Sequence, residues 1–439
     1  MLKKSFRSTI FAAWLPLAMM WIIMAVEQPV IAAVVARMSE AKLQLAAFGF
    51  TFSVALFFSG PVVQMLAAGT AVADNQQNYK RLLWLMHTIG WSATAIHAIL
   101  CIPSVFRLFA RGVIGIPEEL LFSSRLALIT MLPWTLAVGY RRLWQGVLIR
   151  NNRTKVIPIT MLIRLTVSFA TLIYGFHTRL LPGAALGGLA LSLGAIAGAV
   201  SARLYVRPVI AEISTAGKPA AADRKYPTGV MTWSAMLIFY IPLALTSFMN
   251  QGVWPILQIG MARGPMPLES LALWPVSMGY LFLYSSFSLS SQEIVIARLD
   301  GPDSRRDLVH FITKLSAVLS ILYIIVLVTP LWRGWFSGVS GLSRELTDLA
   351  MIPILLNFPI ILIYPYISLY RGALVRLHRT REVTIGVAIN VTVMLGALFL
   401  GVNILPIPAI STVAGAYTLA FISEFFYLVS RRSLATFKH

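Results

Sequence analysis

The stretch GVLIRNNRTK, Gly146 to Lys155, returns as GALVRLHRTR at Gly372 to Arg381. Five places are identical, Gly146/Gly372, Leu148/Leu374, Arg150/Arg376, Arg153/Arg379 and Thr154/Thr380, and each pair lies 226 residues apart. The same shift lays WLPLA (Trp14 to Ala18) on YIPLA (Tyr240 to Ala244), Pro29 on Pro255, Arg37 on Arg263, Pro133 on Pro359 and Tyr140 on Tyr366, with no gap. A register kept from Trp14 to Thr154 marks an internal duplication of the whole chain.

The medium in which this duplication folds follows from composition. Of 439 residues, 58% are hydrophobic and 12% charged, too few polar side chains to cover a soluble globule. Apolar runs of ~20 residues, the length that crosses ~30 Å of hydrocarbon, recur at about twelve places: 9–36, 44–72, 83–106, 126–149, 156–176, 183–206, 229–262, 268–297, 310–332, 346–375, 382–403 and 408–430. The chain reads as an all-α polytopic membrane protein. Its start, MLKKSFRSTIF, leads into an apolar segment too long for a cleaved signal, so the first span is expected to be retained.

The net charge of +20 would point a soluble protein toward nucleic acid. Here the cations gather in alternate short loops, about 22 Lys and Arg in one set and about 9 in the other, which by the positive-inside rule predicts cytoplasmic termini and no nucleic-acid partner. The single Cys101 excludes an intramolecular disulfide and supplies no thiolate metal cage. No metal site, cofactor or soluble-enzyme motif is read from the chain, so the reading is non-enzymatic and any work is driven by gradients.

Six spans per repeat is an even number, so both halves enter from the same side, as parallel repeats related by a two-fold axis along the membrane normal. The expected lobes are 1–206 and 229–439, joined by a polar linker at 207–228 rich in small residues, Pro and cations, with a cleft between them.

Within this frame one stretch is chemically out of place. VEQPVIAAVVAR (Val26 to Arg37) sets Glu27 and Gln28 beside Pro29 in an apolar run. Proline removes a backbone hydrogen bond, so bends are expected at Pro29 and, in the second repeat, at Pro255 beside Asn250 and Gln251. Glu27 lies ~15 Å from Arg37 along a helix, too deep to snorkel, and a buried acid pairs with a cation or takes up a proton. Glu27, Gln28, Asn250 and Gln251 are therefore the candidate ion-coupling or substrate site, for H+ or Na+. The alternative is packing glue, a protonated Glu27 bonded to a backbone carbonyl. The position equivalent to Glu27 is Val253.

Arg141 and Arg142 in the fourth span and Arg164 in the fifth reach similar depth on antiparallel helices and form a candidate anion-attracting cluster, because guanidinium grips carboxylate and phosphate through a planar fork. Contact with lipid phosphates is the competing role, best suited to Arg371, which is shallower. His97, mid-span, is a candidate proton relay or a hydrogen-bonded core residue.

Glu27-Gln28, IAAV (Ile31 to Val34), LAAFGF from Leu45, FFSGP (Phe57 to Pro61), GVLIRNN, WPV (Trp274 to Val276) and GALVRL together resemble the progressive ankylosis (ANKH) family. That family is a branch of the multidrug/oligosaccharide-lipid/polysaccharide (MOP) flippase superfamily, which also holds the multidrug and toxin extrusion (MATE) transporters. The resemblance implies a two-lobed alternating-access exporter of small anions such as pyrophosphate, nucleotides or citrate-like carboxylates, in a bacterial inner membrane. Arg141 and Arg142 depart from the relatives, as do Ser285, Ser286 and Phe287, where charges are expected. Three alternatives remain at this point: a cation-coupled exporter of organic cations, a lipid-linked sugar flippase, and a non-transporting membrane scaffold.

Overall fold

The computed structural model describes residues 2–73, 75–151, 153–215, 230–299, 301–377, 379–431 and 433–434. Among these the regular structure is helical, joined by turns and short coil, with no strand. The helices are α1 (Leu2–Val35), α2 (Ala41–Val63), α3 (Met65–Val72), α4 (Gln76–Leu100), α5 (Pro103–Arg107), α6 (Leu121–Thr130), α7 (Leu132–Arg150), α8 (Ile157–Thr178) and α9 (Gly183–Thr215). There follow α10 (Trp233–Arg263), α11 (Pro267–Arg298), α12 (Pro302–Val328), α13 (Leu331–Arg333), α14 (Arg344–Leu349), α15 (Met351–Arg376), α16 (Thr380–Ile404) and α17 (Ala409–Ser430).

Nine helical stretches among the described residues are long and apolar enough to cross a membrane, or ten if α4 and the segment Pro103–Ile114, bent by 84° against it, count as one. The expected count of about twelve is not reached by that measure. The first helix contributes only Trp21–Val35 as an apolar stretch, and α11 carries Ser285, Ser286, Ser288, Ser290, Ser291, Gln292 and Glu293 along its second half, which lowers its hydropathy. Helix α9 runs to Thr215, beyond the expected end at 206, so the first part of the expected linker is helical; 216–229 lie outside the described residues.

The duplication is written into the backbone. Glu40 (φ 55°) and Met266 (φ 51°), one repeat apart, both take the left-handed conformation directly before a helix, and so do Gly115 (φ 92°) and Gly341 (φ 72°) in the corresponding turns. π-helical turns occupy Leu108–Ile114 and Gly334–Val339. Side-chain anchors repeat as well. Ser192 Oγ donates to the Thr130 carbonyl at 2.7 Å and Thr418 Oγ1 to the Leu356 carbonyl at 2.8 Å. Gln44 Oε1 accepts from the Ala184 amide, and Ser270 Oγ from the Ile410 amide, both at 3.1 Å. These bonds satisfy helix-start amides that have no partner within their own helix.

By contact the chain divides into two compact units, 1–37 with 260–439, and 38–259. This differs from the expected lobes 1–206 and 229–439 in one respect: each repeat's opening helix belongs to the other unit. In the first unit Trp14 of α1 meets the Phe287 ring at 6.3 Å and Phe311 at 5.4 Å. In the second, at the equivalent place, the Tyr240 hydroxyl of α10 donates to the Pro61 carbonyl at 2.5 Å. Glycines permit these approaches: a Cβ on Gly279 would lie 3.2 Å from Pro29 Cγ, and one on Gly60 3.0 Å from Phe248 Cα. Small residues at such crossings are the usual device of membrane helices, which gain by packing rather than by expelling water.

Candidate functional site

Glu27 is 3% exposed, so its carboxylate is withdrawn from the lipid-facing surface. It sits on α1, which continues without interruption through Pro29 to Val35, and Pro255 is likewise inside a continuous α10. Neither proline ends its helix; each removes one hydrogen bond locally while long flanking turns hold the rest. Gln28 is half-buried, Asn250 exposed and Gln251 half-buried. The better anchored polar group of α10 is Gln258, fully buried, whose Nε2 donates to the Gly49 carbonyl at 3.3 Å and to Ser53 Oγ at 2.9 Å. Sequence reasoning passed over it.

The arginines converge in the second unit. Arg141 is 3% and Arg164 7% exposed. A Cβ on Gly198 of α9 would stand 3.0 Å from Arg141 Cδ and 3.3 Å from Arg164 Cβ, so both aliphatic stems close over this glycine. Arg142 lies near enough to Arg164 for their charges to interact. Arg141 Nη1 is donated to Met161 Sδ at 3.2 Å, a weak acceptor. Three helices, α7, α8 and α9, thus bring the trio together, as its depth in the sequence implied.

The first unit handles the corresponding position differently. The equivalents of Gln145, Arg164 and Gly198 are Arg371, Asn390 and Glu424. Glu424 is fully buried; Arg371 Nε donates to its Oε1 at 2.7 Å, and Asn390 Nδ2 to its Oε2 at 3.0 Å. Arg371 was expected to suit lipid phosphates; it is instead ion-paired inside the protein, because α17 supplies an acid where α9 has glycine.

His97 also resolves through its repeat mate. Its Nε2 donates to the Leu128 carbonyl at 3.1 Å, and its ring stacks on Phe58 with centroids 5.2 Å apart. The equivalent Tyr323 hydroxyl donates to the Ile354 carbonyl at 2.8 Å, the carbonyl equivalent to that of Leu128. A phenol performing the same task at the same place gives His97 an anchoring role. Among the described residues no group of three or more His, Cys, Asp or Glu is placed to hold a metal ion.

Solved structures share this fold. The chain superposes on the inward-facing conformation of a multidrug resistance MATE family transporter of the MOP superfamily with TM-score 0.72, at 11% identity over 97% of this chain and 98% of that one. It is similar to the lipid II flippase MurJ in its inward closed conformation, with TM-score 0.70 and 13% identity over 97% of this chain and 90% of that one. It is also similar to a MOP superfamily transporter from Pyrococcus furiosus in which reverse polarity of the binding pocket suggests a different function, with TM-score 0.64 and 12% identity over 97% and 96%. No family model matches the chain, and no curated protein matches it in sequence. The chain shares the fold of these solved transporters and of the flippase; the resemblance to the progressive ankylosis family rests on the motifs alone.

Proposed function

We propose that this chain is a secondary transporter that exports a small anionic metabolite, a pyrophosphate, nucleotide or citrate-like carboxylate, by alternating access across a bacterial inner membrane. The observation that carries the reading is the unequal treatment of buried arginine. In the first unit the repeat sets Glu424 against Arg371; in the second the equivalent residue is Gly198, over which the stems of Arg141 and Arg164 close, with Arg142 near enough to Arg164 for their charges to interact. Burying guanidinium is costly, and gathering three of them on adjoining helices in a membrane interior suits a protein whose cargo is an anion. Arg141, Arg142 and Arg164 bind the anion through forked hydrogen bonds. Glu27, with Gln28, takes up H+ or Na+ and couples the gradient to export; Asn250 and Gln251 of α10, in the second unit, are further ion or substrate contacts.

Reconstituted in liposomes loaded with citrate, ATP or pyrophosphate, the wild-type chain is expected to release at least one of these under a proton or sodium gradient. Arg142→Ala or Arg164→Gln lowers that flux by ~10-fold or more, the equivalent of ~1.4 kcal/mol of anion binding. Glu27→Gln removes the response to the gradient but not binding. Undiminished anion flux in both arginine variants overturns the reading. The buried Glu27 and the MATE neighbour favour one competing function, export of organic cations with Glu27 as the ion site. Efflux of a dye cation that survives both arginine substitutions and fails in Glu27→Gln establishes that alternative.

A further inference from the structure

Away from the arginine cluster, the first unit holds a pocket of about 790 Å³ between α1, α11 and α12. Its walls are almost wholly apolar and aromatic: Phe11 and Trp14 from α1, Tyr284 and Phe287 from α11. One charge enters it, Lys314 of α12.

The sequence of α12 explains the shape. Residues four apart share a helical stripe, and the stripe through Lys314 reads Arg306, His310, Lys314, then Val318, Leu322, Val326. The first three are exposed and basic or ionisable. The last three line the pocket with Lys314. The pocket continues onto surface that faces outward from the protein, since Phe11 is 51%, Val318 54% and Leu322 49% exposed. Cations at one end, an aromatic trough at the other, and an open side toward hydrocarbon match an anionic headgroup with its acyl chain. Acidic neighbours do not cancel the stripe: Asp303 lies in the first turn, where it offsets the dipole, and Asp307 is on the adjoining face.

The repeat shows that this is not a requirement of the fold. One repeat earlier, Arg306, His310 and Lys314 become Lys80, Trp84 and Thr88, and Tyr280, Tyr284 and Trp335 become Val54, Phe58 and Phe109. The first repeat forms its helices without the charge ladder or the full aromatic wall. Two indole N–H groups at the pocket, those of Trp14 and Trp335, are buried without a hydrogen-bond acceptor, a cost that an ester or phosphate oxygen would relieve.

We infer that this groove is a binding site for one anionic phospholipid, with the phosphate at Arg306, His310 and Lys314 and an acyl chain laid along Val318, Leu322 and Val326 against Trp14 and Tyr284. It is separate from the arginine cluster and independent of the proposed cargo.

The test is native mass spectrometry of the full chain in detergent, titrated with dioleoyl phosphatidylglycerol or dioleoyl phosphatidylcholine. Wild type is expected to retain one phosphatidylglycerol over phosphatidylcholine by about fivefold or more, the discrimination that one Lys near the headgroups supplies. Lys314→Gln, at an exposed position, removes the preference and leaves residual binding of either lipid. Leu322→Trp fills the trough and removes the retained lipid altogether. Equal retention of the two lipids by wild type overturns the inference, as does unchanged phosphatidylglycerol retention in both variants. Inorganic phosphate displacing the lipid completely would also overturn it, by reducing the site to a headgroup contact.

Discussion

Two equivalent interiors, built from the same ancestral segment, hold opposite electrostatic arrangements. Around Glu424 the charge is closed: Arg371 and Asn390 occupy both carboxylate oxygens. Around Gly198 it is cationic, with Arg141, Arg142 and Arg164 gathered from two helices. The backbones agree at the left-handed residues that open α2 and α11, and at this site the difference lies in the side chains. At one register the duplicated fold carries glutamate in one unit and glycine in the other, and Arg371 lies against the acid in the first while the stems of Arg141 and Arg164 close over the glycine in the second.

The largest expected effect comes from making the two sites alike. Gly198→Glu inserts an acid between Arg141 and Arg164, where a Cβ needs the Arg141 stem to give by a few tenths of an ångström, well within the freedom of a flexible side chain. Anion flux in liposomes is expected to fall by ~10-fold or more, ~1.4 kcal/mol, while the thermal unfolding midpoint holds or rises. Full flux in that variant breaks the comparison.

The reverse change acts on stability. Glu424→Gln leaves Arg371 without its counter-charge and is expected to cost ~3 kcal/mol, at the lower end for a buried pair because Arg371 keeps some solvent contact. Thermal melts in detergent measure this, and the double variant Arg371→Gln/Glu424→Gln should recover part of the loss. A single variant as stable as wild type would show that the pair is not cementing α15 to α17.

The smallest effect concerns His97 and Tyr323. Removing either hydrogen bond, by His97→Phe or Tyr323→Phe, is expected to cost ~1 kcal/mol each, with no change in the pH dependence of flux. A pH profile altered by His97→Phe alone would restore the relay and split the two positions.

How much of this was legible beforehand varies by residue. The pairing of GVLIRNNRTK with GALVRLHRTR announced the duplication, and the structure gives both glycines a reason: a Cβ on Gly146 would lie 2.5 Å from the Leu66 carbonyl oxygen and one on Gly372 2.8 Å from Val295 Cβ, at equivalent helix crossings. The convergence of Arg141 and Arg164 followed from helical rise alone. The Arg371–Glu424 pair did not, because charge partners 53 positions apart on different helices leave no local pattern. The exchange of opening helices was equally hidden, since an apolar span carries no mark of which bundle it will join.

The amino-acid sequence by itself determined that this is a polytopic helical membrane protein made of two copies of one unit, because apolar length and a constant register are properties of the chain alone. Only the tertiary structure decided which carboxylate Arg371 meets, what holds the His97 ring and where α1 packs, because those outcomes depend on which side chain of a distant helix fills a few cubic ångströms of shared interior.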